Sequence, residues 1–133
     1  MKTYYLDTNI IIRYLVDDIP TQTEMVREYL VKAKKKQIKL YIPVSVILES
    51  FYVLRALYKR TKAETINALT SVINMDYLEV GSRRTLAESL KISEKEGISL
   101  TDSLCLCESA SLKYQLLTFD KKLMMLSKKL NIF

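Results

Sequence analysis

Short β-branched runs alternate with segments of helical period almost from end to end of the chain, and this alternation leaves few possible architectures. Strands separated by helices cannot pair as tight hairpins, so they lie parallel in one sheet with helices against it. Strands are expected at residues 2–6, 38–42, 77–80 and 115–119. Asp7-Thr8-Asn9 turns into a short helix through Ile12 and Leu15, and residues 17–20 read as a loop. Thr21 to Glu24 has the spacing of a capping box, opening a helix through Met25, Val26, Tyr29, Leu30 and Ala33 that Lys34, Lys35 and Lys36 end.

After Pro43 a long helix carries Val44, Ile47, Leu48, Phe51, Leu54 and Leu57 at helical spacing. Thr61 to Glu64 is a second capping box, and Ile66, Leu69, Val72 and Ile73 line the helix it opens. Ser82 begins a helix through Leu86, Leu90 and Ile92, which Gly97 stops in a left-handed cap. Thr101 caps the next helix, Asp120 opens the last, and residues 131–133 have the composition of an added edge strand.

A chain of 133 residues is expected to form one domain, residues 1–133, with a core that needs no disulfide or metal staple. Apolar residues at 49% and charged ones at 27% suit a globular protein, and the apolar runs fall far short of a membrane span. Met1 leads directly into a strand without a basic-then-apolar leader, so a cytoplasmic protein is expected. Cys105 and Cys107 project from different faces of a helix and read as free thiols. The chain has no histidine, which excludes imidazole acid–base catalysis, Ser-His-Asp and Cys-His triads and imidazole metal sites. A net charge of +6 favours polyanionic partners.

Four acids occupy strand ends and helix starts of this pattern: Asp7 after the first strand, Glu49 inside the apolar run from Val44 to Phe51, Asp102 at a helix start and Asp120 after the last strand. Ligand sites of parallel sheets form at the carboxyl ends of strands, where Asp7 and Asp120 fall. Taken singly, each has a plain structural explanation. Asp120 caps a helix, Asp102 suits a helix dipole and Asp7 forms a turn. Glu49 resists this most, because its neighbours are apolar and an unpaired buried carboxylate is costly.

Leu6-Asp7-Thr8-Asn9, Val46-Ile47-Leu48-Glu49, Leu100-Thr101-Asp102 and Leu117-Thr118-Phe119-Asp120, in that order, resemble the PIN-domain pattern over the whole chain, and most closely the small VapC-type toxins. The resemblance implies a three-layer α/β/α fold around a mostly parallel sheet, and a metal-dependent ribonuclease. Asp7, Glu49, Asp102 and Asp120 would hold Mg²⁺ or Mn²⁺, Asp7 and Asp102 directly, Asp120 through water, with Glu49 ligating or orienting the attacking water. Asn9 would brace the turn that presents Asp7, and Thr118 would bond a metal water or a phosphate. Four carboxylates in one cleft repel, and a hard divalent ion with oxygen ligands relieves that repulsion.

The resemblance further implies RNA as substrate, a homodimer, and a small antitoxin protein seated in a groove near the acids. Two alternatives within the same fold are an RNA-processing nuclease that is not a toxin and a non-catalytic module binding RNA or protein. A haloacid-dehalogenase-type phosphatase fits poorly, because Asn9 stands where that chemistry wants a second Asp. A receiver domain fits poorly too, since Asp17-Asp18 lies well past the first strand. The five lysines between Lys32 and Lys39 read as a solvated helix end, and Tyr52 and Tyr58 as packing residues.

Overall fold

A computed structural model describes residues 1–130 and divides the chain into two compact units, Met1–Arg83 and Arg84–Phe133. The first unit is built in the order β1 (Thr3–Tyr5), α1 (Thr8–Val16), α2 (Pro20–Lys34), β2 (Lys39–Ile42), α3 (Val44–Ala56), α4 (Lys62–Ile73) and β3 (Glu79–Val80). Its strands pair in parallel in the order β1-β2-β3, with Thr3 opposite Lys39, Tyr5 opposite Tyr41 and Ile42 opposite Val80. Leu6 N–H donates to the Tyr41 carbonyl at 2.9 Å and extends the first ladder by one residue. Asp7 therefore follows directly on the carboxyl end of β1. Gly81 continues the other ladder to the Ile42 carbonyl at 2.9 Å, in a place where any Cβ would stand 2.7 Å from the Tyr41 hydroxyl oxygen.

The side chains at helical spacing supply the interior. Ile12, Leu40, Ile42, Ile47, Leu54, Leu69, Val72 and Ile73 are fully buried, each stabilising the fold by about 1.5–3 kcal/mol. Helix α3 packs against α1 and α4. The capping box on α4 forms as the sequence predicts: Glu64 N–H donates to Thr61 Oγ1 at 3.1 Å, and Thr61 N–H donates to Glu64 Oε1 at 2.9 Å. The backbone hydrogen bond from Thr61, then the one involving its side chain, hold the Glu64 carboxyl below its ordinary 4.5. A depressed carboxyl pKa contributes stability that is present above the unfolded value and lost as pH falls through the folded one. Thr61→Ala is accordingly expected to cost about 1 kcal/mol at neutral pH. Only the part of that difference carried by the carboxyl should fade as pH falls through its folded pKa, while the lost bond to the Glu64 N–H is felt at any pH; urea melts at neutral and at acid pH check it.

The first capping box does not form. Helix α2 starts two residues earlier than Thr21 would set it, with Ile19 at the N-cap and Pro20 at the first helical position. Proline suits that position because its φ is already helical and its missing N–H is not needed there. Thr23 instead donates its hydroxyl to the carbonyls of Arg13 (2.9 Å) and Ile19 (3.3 Å), joining α1 to α2.

The second unit comprises most of α5 (Arg83–Glu96), together with α6 (Leu100–Ser111) and α7 (Lys121–Leu130). Ile98, Leu106, Leu123 and Leu126 form a buried cluster, with Ile92, Leu116 and Leu130 packed on it. Gly97 has φ +66° after α5, the left-handed cap expected of it. Ser103 donates to the carbonyls of Ser89 (2.8 Å) and Leu100 (3.0 Å), tying α6 to α5, and Lys122 donates to the Glu96 carbonyl.

Two expectations in this unit are corrected. Ser99, not Thr101, caps α6, accepting the Asp102 N–H at 3.0 Å, so Thr101 and Asp102 both lie in the first turn. Residues 115–119 form no strand. The segment keeps a two-residue alternation, with Leu116 and Thr118 half-buried and Leu117 and Phe119 98% and 102% exposed, but it hydrogen-bonds to no strand among the described residues. Apolar alternation marks a segment able to pair, whereas a strand exists only with a partner. The edge strand expected at 131–133 lies outside the described residues.

Among the described residues the fold is thus α/β, with seven helices and a three-stranded sheet that is wholly parallel. Among those residues no helix is long and apolar enough to cross a membrane.

Candidate active site

Asp7 occupies the N-cap of α1 in extended conformation (φ −94°, ψ 175°), and its Oδ1 accepts the Ile10 N–H at 3.4 Å. This single long bond leaves the rest of the carboxylate open. It lines a cavity of about 330 Å³ with Asn9, Ile10, Arg13, Gln22, Met25 and Val26. Asn9 lies in the first turn of α1, and its amide has no hydrogen-bond partner among the described residues. An apolar cavity of about 230 Å³, lined chiefly by Tyr4, Tyr29, Leu30 and Leu40, shares Ile10, Met25 and Val26 with it.

Glu49 sits on the exposed side of α3, which corrects the expectation of a buried acid. The apolar run wraps helically, so Val46, Ile47, Ser50, Phe51 and Leu54 turn inward while Ser45, Glu49, Tyr52 and Ala56 turn outward. The buried polar group on α3 is instead Ser50, whose Oγ is fully enclosed and has no hydrogen-bond partner among the described residues. Ser50→Ala is expected to be neutral or to stabilise by up to about 1 kcal/mol, because it removes an unsatisfied hydroxyl. A thermal melt reads this directly, and a clear loss of stability would show that the hydroxyl is bonded.

In the second unit, Asp102 is half-buried in the first turn of α6, and its carboxylate makes no hydrogen bond or ion pair among the described residues. Asp120 is exposed. Its Oδ1 accepts the Leu123 N–H at 3.0 Å at the start of α7, and its own N–H donates to Thr118 Oγ1 at 3.1 Å. Two candidate acids thus lie in each unit, and among the described residues of neither unit do three or more carboxylates or thiols gather where they could hold a metal.

Arg13 was invisible to motif reading, although an arginine interrupting Ile10-Ile11-Ile12 and Tyr14-Leu15 is a signal of its own. Its Nε donates to Gln22 Oε1 at 2.7 Å, and its Nη1 donates to Asp18 Oδ1 at 3.2 Å and to the Tyr58 hydroxyl at 3.3 Å. Tyr58 in turn donates to Asp18 Oδ2 at 2.9 Å. The hydrogen bond with Tyr58 first, and then the charge of Asp18, raise the Arg13 pKa above its ordinary value against an opposing desolvation. Elsewhere, burial first, opposed by a hydrogen bond with Ser89, pushes the Cys107 thiol up, which suits a packed rather than a reactive cysteine.

A parallel α/β chain with an acid at the carboxyl end of its first strand belongs to the class of folds that place their chemistry there. The family model described as the PIN domain matches residues 4–129, across both units, and the chain belongs to that family. PIN domains are a nuclease-type fold, and their nucleases act on nucleic acid and usually use divalent metals. Neither a search of curated proteins nor a search of solved structures finds a match.

The donor chemistry of the candidate acids fits such a metal. All four offer only oxygen, and none forms an ion pair among the described residues, although the chain carries 21 basic side chains. Unpaired carboxylates with free lone pairs suit a hard cation such as Mg²⁺ or Mn²⁺.

Proposed function

We propose that the whole chain, residues 1–133, acts as one PIN-type domain, a metal-dependent endoribonuclease that hydrolyses RNA phosphodiester bonds through Asp7, Glu49, Asp102 and Asp120. One observation carries this: the family match over residues 4–129 includes all four acids, and none of them is committed to an ion pair among the described residues. The four acids would hold Mg²⁺ or Mn²⁺, which when bound polarises a phosphoryl oxygen and makes a water more acidic. Asn9 makes no side-chain bond among the described residues that would brace the turn, as expected of it, but lines one cavity with Asp7 and would order the groups around that carboxylate. Thr118, whose Oγ1 accepts the Asp120 N–H, would bond a metal water or a phosphate. The positive net charge draws the RNA backbone towards the protein.

The finer reading is the toxin of a type II toxin–antitoxin pair, a cytoplasmic homodimer inhibited by a small antitoxin protein. An RNA-processing nuclease would use the same acids. A non-catalytic module has one observation in its favour, since the Asp7 and Asp120 carboxylates each accept an amide at the start of their own helix. The deciding experiment is cleavage of total RNA by purified protein in Mn²⁺, Mg²⁺ and EDTA, with Asp7→Asn alongside to exclude a contaminating nuclease. Metal-dependent cutting that the variant loses supports the nuclease. Folded protein that cuts under no metal favours the binding module, and co-purification would then identify its partner.

A further inference from the structure

The guanidinium of Arg13 is held on two of its nitrogens and keeps its third without a partner among the described residues. An arginine has five N–H donors in a rigid fork, and here three hydrogen bonds, to Gln22, Asp18 and Tyr58, engage Nε and Nη1. Both hydrogens of Nη2 lack a partner among the described residues. The side chain is 18% exposed and lines the same cavity as Asp7, Asn9 and Gln22. Asn9 and Arg13 are four apart on α1 and so share one face. Three neighbours therefore fix the orientation of a permanent cation, and a ligand bonding to it loses little side-chain freedom.

We propose that Arg13 is a phosphate-binding residue for the RNA strand, its Nη2 edge taking a phosphate oxygen in the cavity it shares with Asp7. This rests on the nuclease reading above and adds to it the group that grips the backbone. Single charge-assisted contacts of this kind set the register of a strand without reading its sequence. Asp7 in the same cavity repels a bare phosphate, so the site selects a strand held by several contacts over a free anion. Asp18 and Tyr58, bonded to each other, hold the guanidinium from behind, leaving the Nη2 edge for the ligand.

The test is binding of short single-stranded RNA to the full chain across a salt series, with Ca²⁺ replacing Mn²⁺ to prevent cutting, and cleavage measured separately in Mn²⁺. Arg13→Gln is expected to weaken binding about tenfold and to lower the slope of log affinity against log salt by about 0.7, the share of one phosphate contact to a single strand. Arg13→Lys should restore the slope, because an ammonium still neutralises one phosphate. Tyr58→Phe removes two bonds of the network but leaves the charge, and should weaken binding by loosening the guanidinium while keeping the parent slope. A folded Arg13→Gln that keeps the parent slope overturns the proposal, and cutting by the parent then leaves the nuclease reading intact. A lowered slope in a protein that never cuts upholds the phosphate contact and removes the nuclease reading. A parent that binds no RNA overturns both. If Arg13→Gln fails to fold, the guanidinium resonance of the parent, assigned by its loss in Arg13→Lys, must shift on adding RNA. Inorganic phosphate shifting it equally at matched phosphate would overturn the RNA assignment.

Discussion

Asp7→Asn and Asp102→Asn are each expected to cut RNA cleavage by roughly a hundredfold or more while leaving the protein folded. The size of the effect follows from the proposed role, in which a carboxylate supplies charge to a divalent ion and an amide supplies none. That the variants fold follows from the structure. Asp7 is the N-cap of α1, accepting the Ile10 N–H, and asparagine caps a helix about as well as aspartate does. At Asp102 the cap belongs to Ser99, whose hydroxyl accepts the Asp102 backbone N–H, a bond the substitution leaves in place. What Asp102→Asn loses is the favourable placing of a charge in the first turn of α6, worth about 0.3–1 kcal/mol. A circular dichroism melt within a few degrees of the parent, with cleavage gone, is the expected pair of results. A double variant Asp7→Asn/Asp102→Asn that still cuts RNA and still requires Mn²⁺ would sink the assignment.

Much of the fold was legible because helices announce themselves locally. The 3.6-residue spacing of Ile47, Phe51 and Leu54, or of Ile66, Leu69, Val72 and Ile73, needs no tertiary information to be read, and those side chains are buried. Likewise the capping box of Thr61 and Glu64 and the left-handed Gly97 depend on a few consecutive residues. The misreadings share a different cause. At Thr21 two local signals competed, and Pro20 set the helix start. At residues 115–119 the alternation was read correctly as a period, but pairing is a non-local property and no ladder forms there among the described residues. Glu49 misled because an apolar run in a helix has two sides, so apolar neighbours in sequence are not neighbours in space. The order of the four acids pointed to the PIN family, which the match over residues 4–129 establishes. Arg13 was missed because its significance lies in Gln22, Asp18 and Tyr58, the last of them 45 residues away.

Stability should be most sensitive to that same distinction between the two sides of α3, and Ile47→Ala is expected to cost about 2–5 kcal/mol. Ile47 is 0% exposed on the helix that packs against both α1 and α4, so deleting its side chain leaves a cavity that three elements would have to move together to close. Domains of this size have only about 5–15 kcal/mol in total, which makes such a loss a large fraction of it. Leu57 is the control. It sits on the same apolar spacing in the sequence, yet it lies just past the end of α3 as its C-cap and is 74% exposed. Leu57→Ala should therefore stay within about 0.5 kcal/mol of the parent. Urea denaturation of both variants, followed by helical circular dichroism, separates them by the shift in midpoint at constant slope. Equal shifts would mean that α3 does not present the face described here. Because Glu49 and Ser50 ride on the same two turns, the orientation of a proposed metal-binding acid would then have to be redrawn with it.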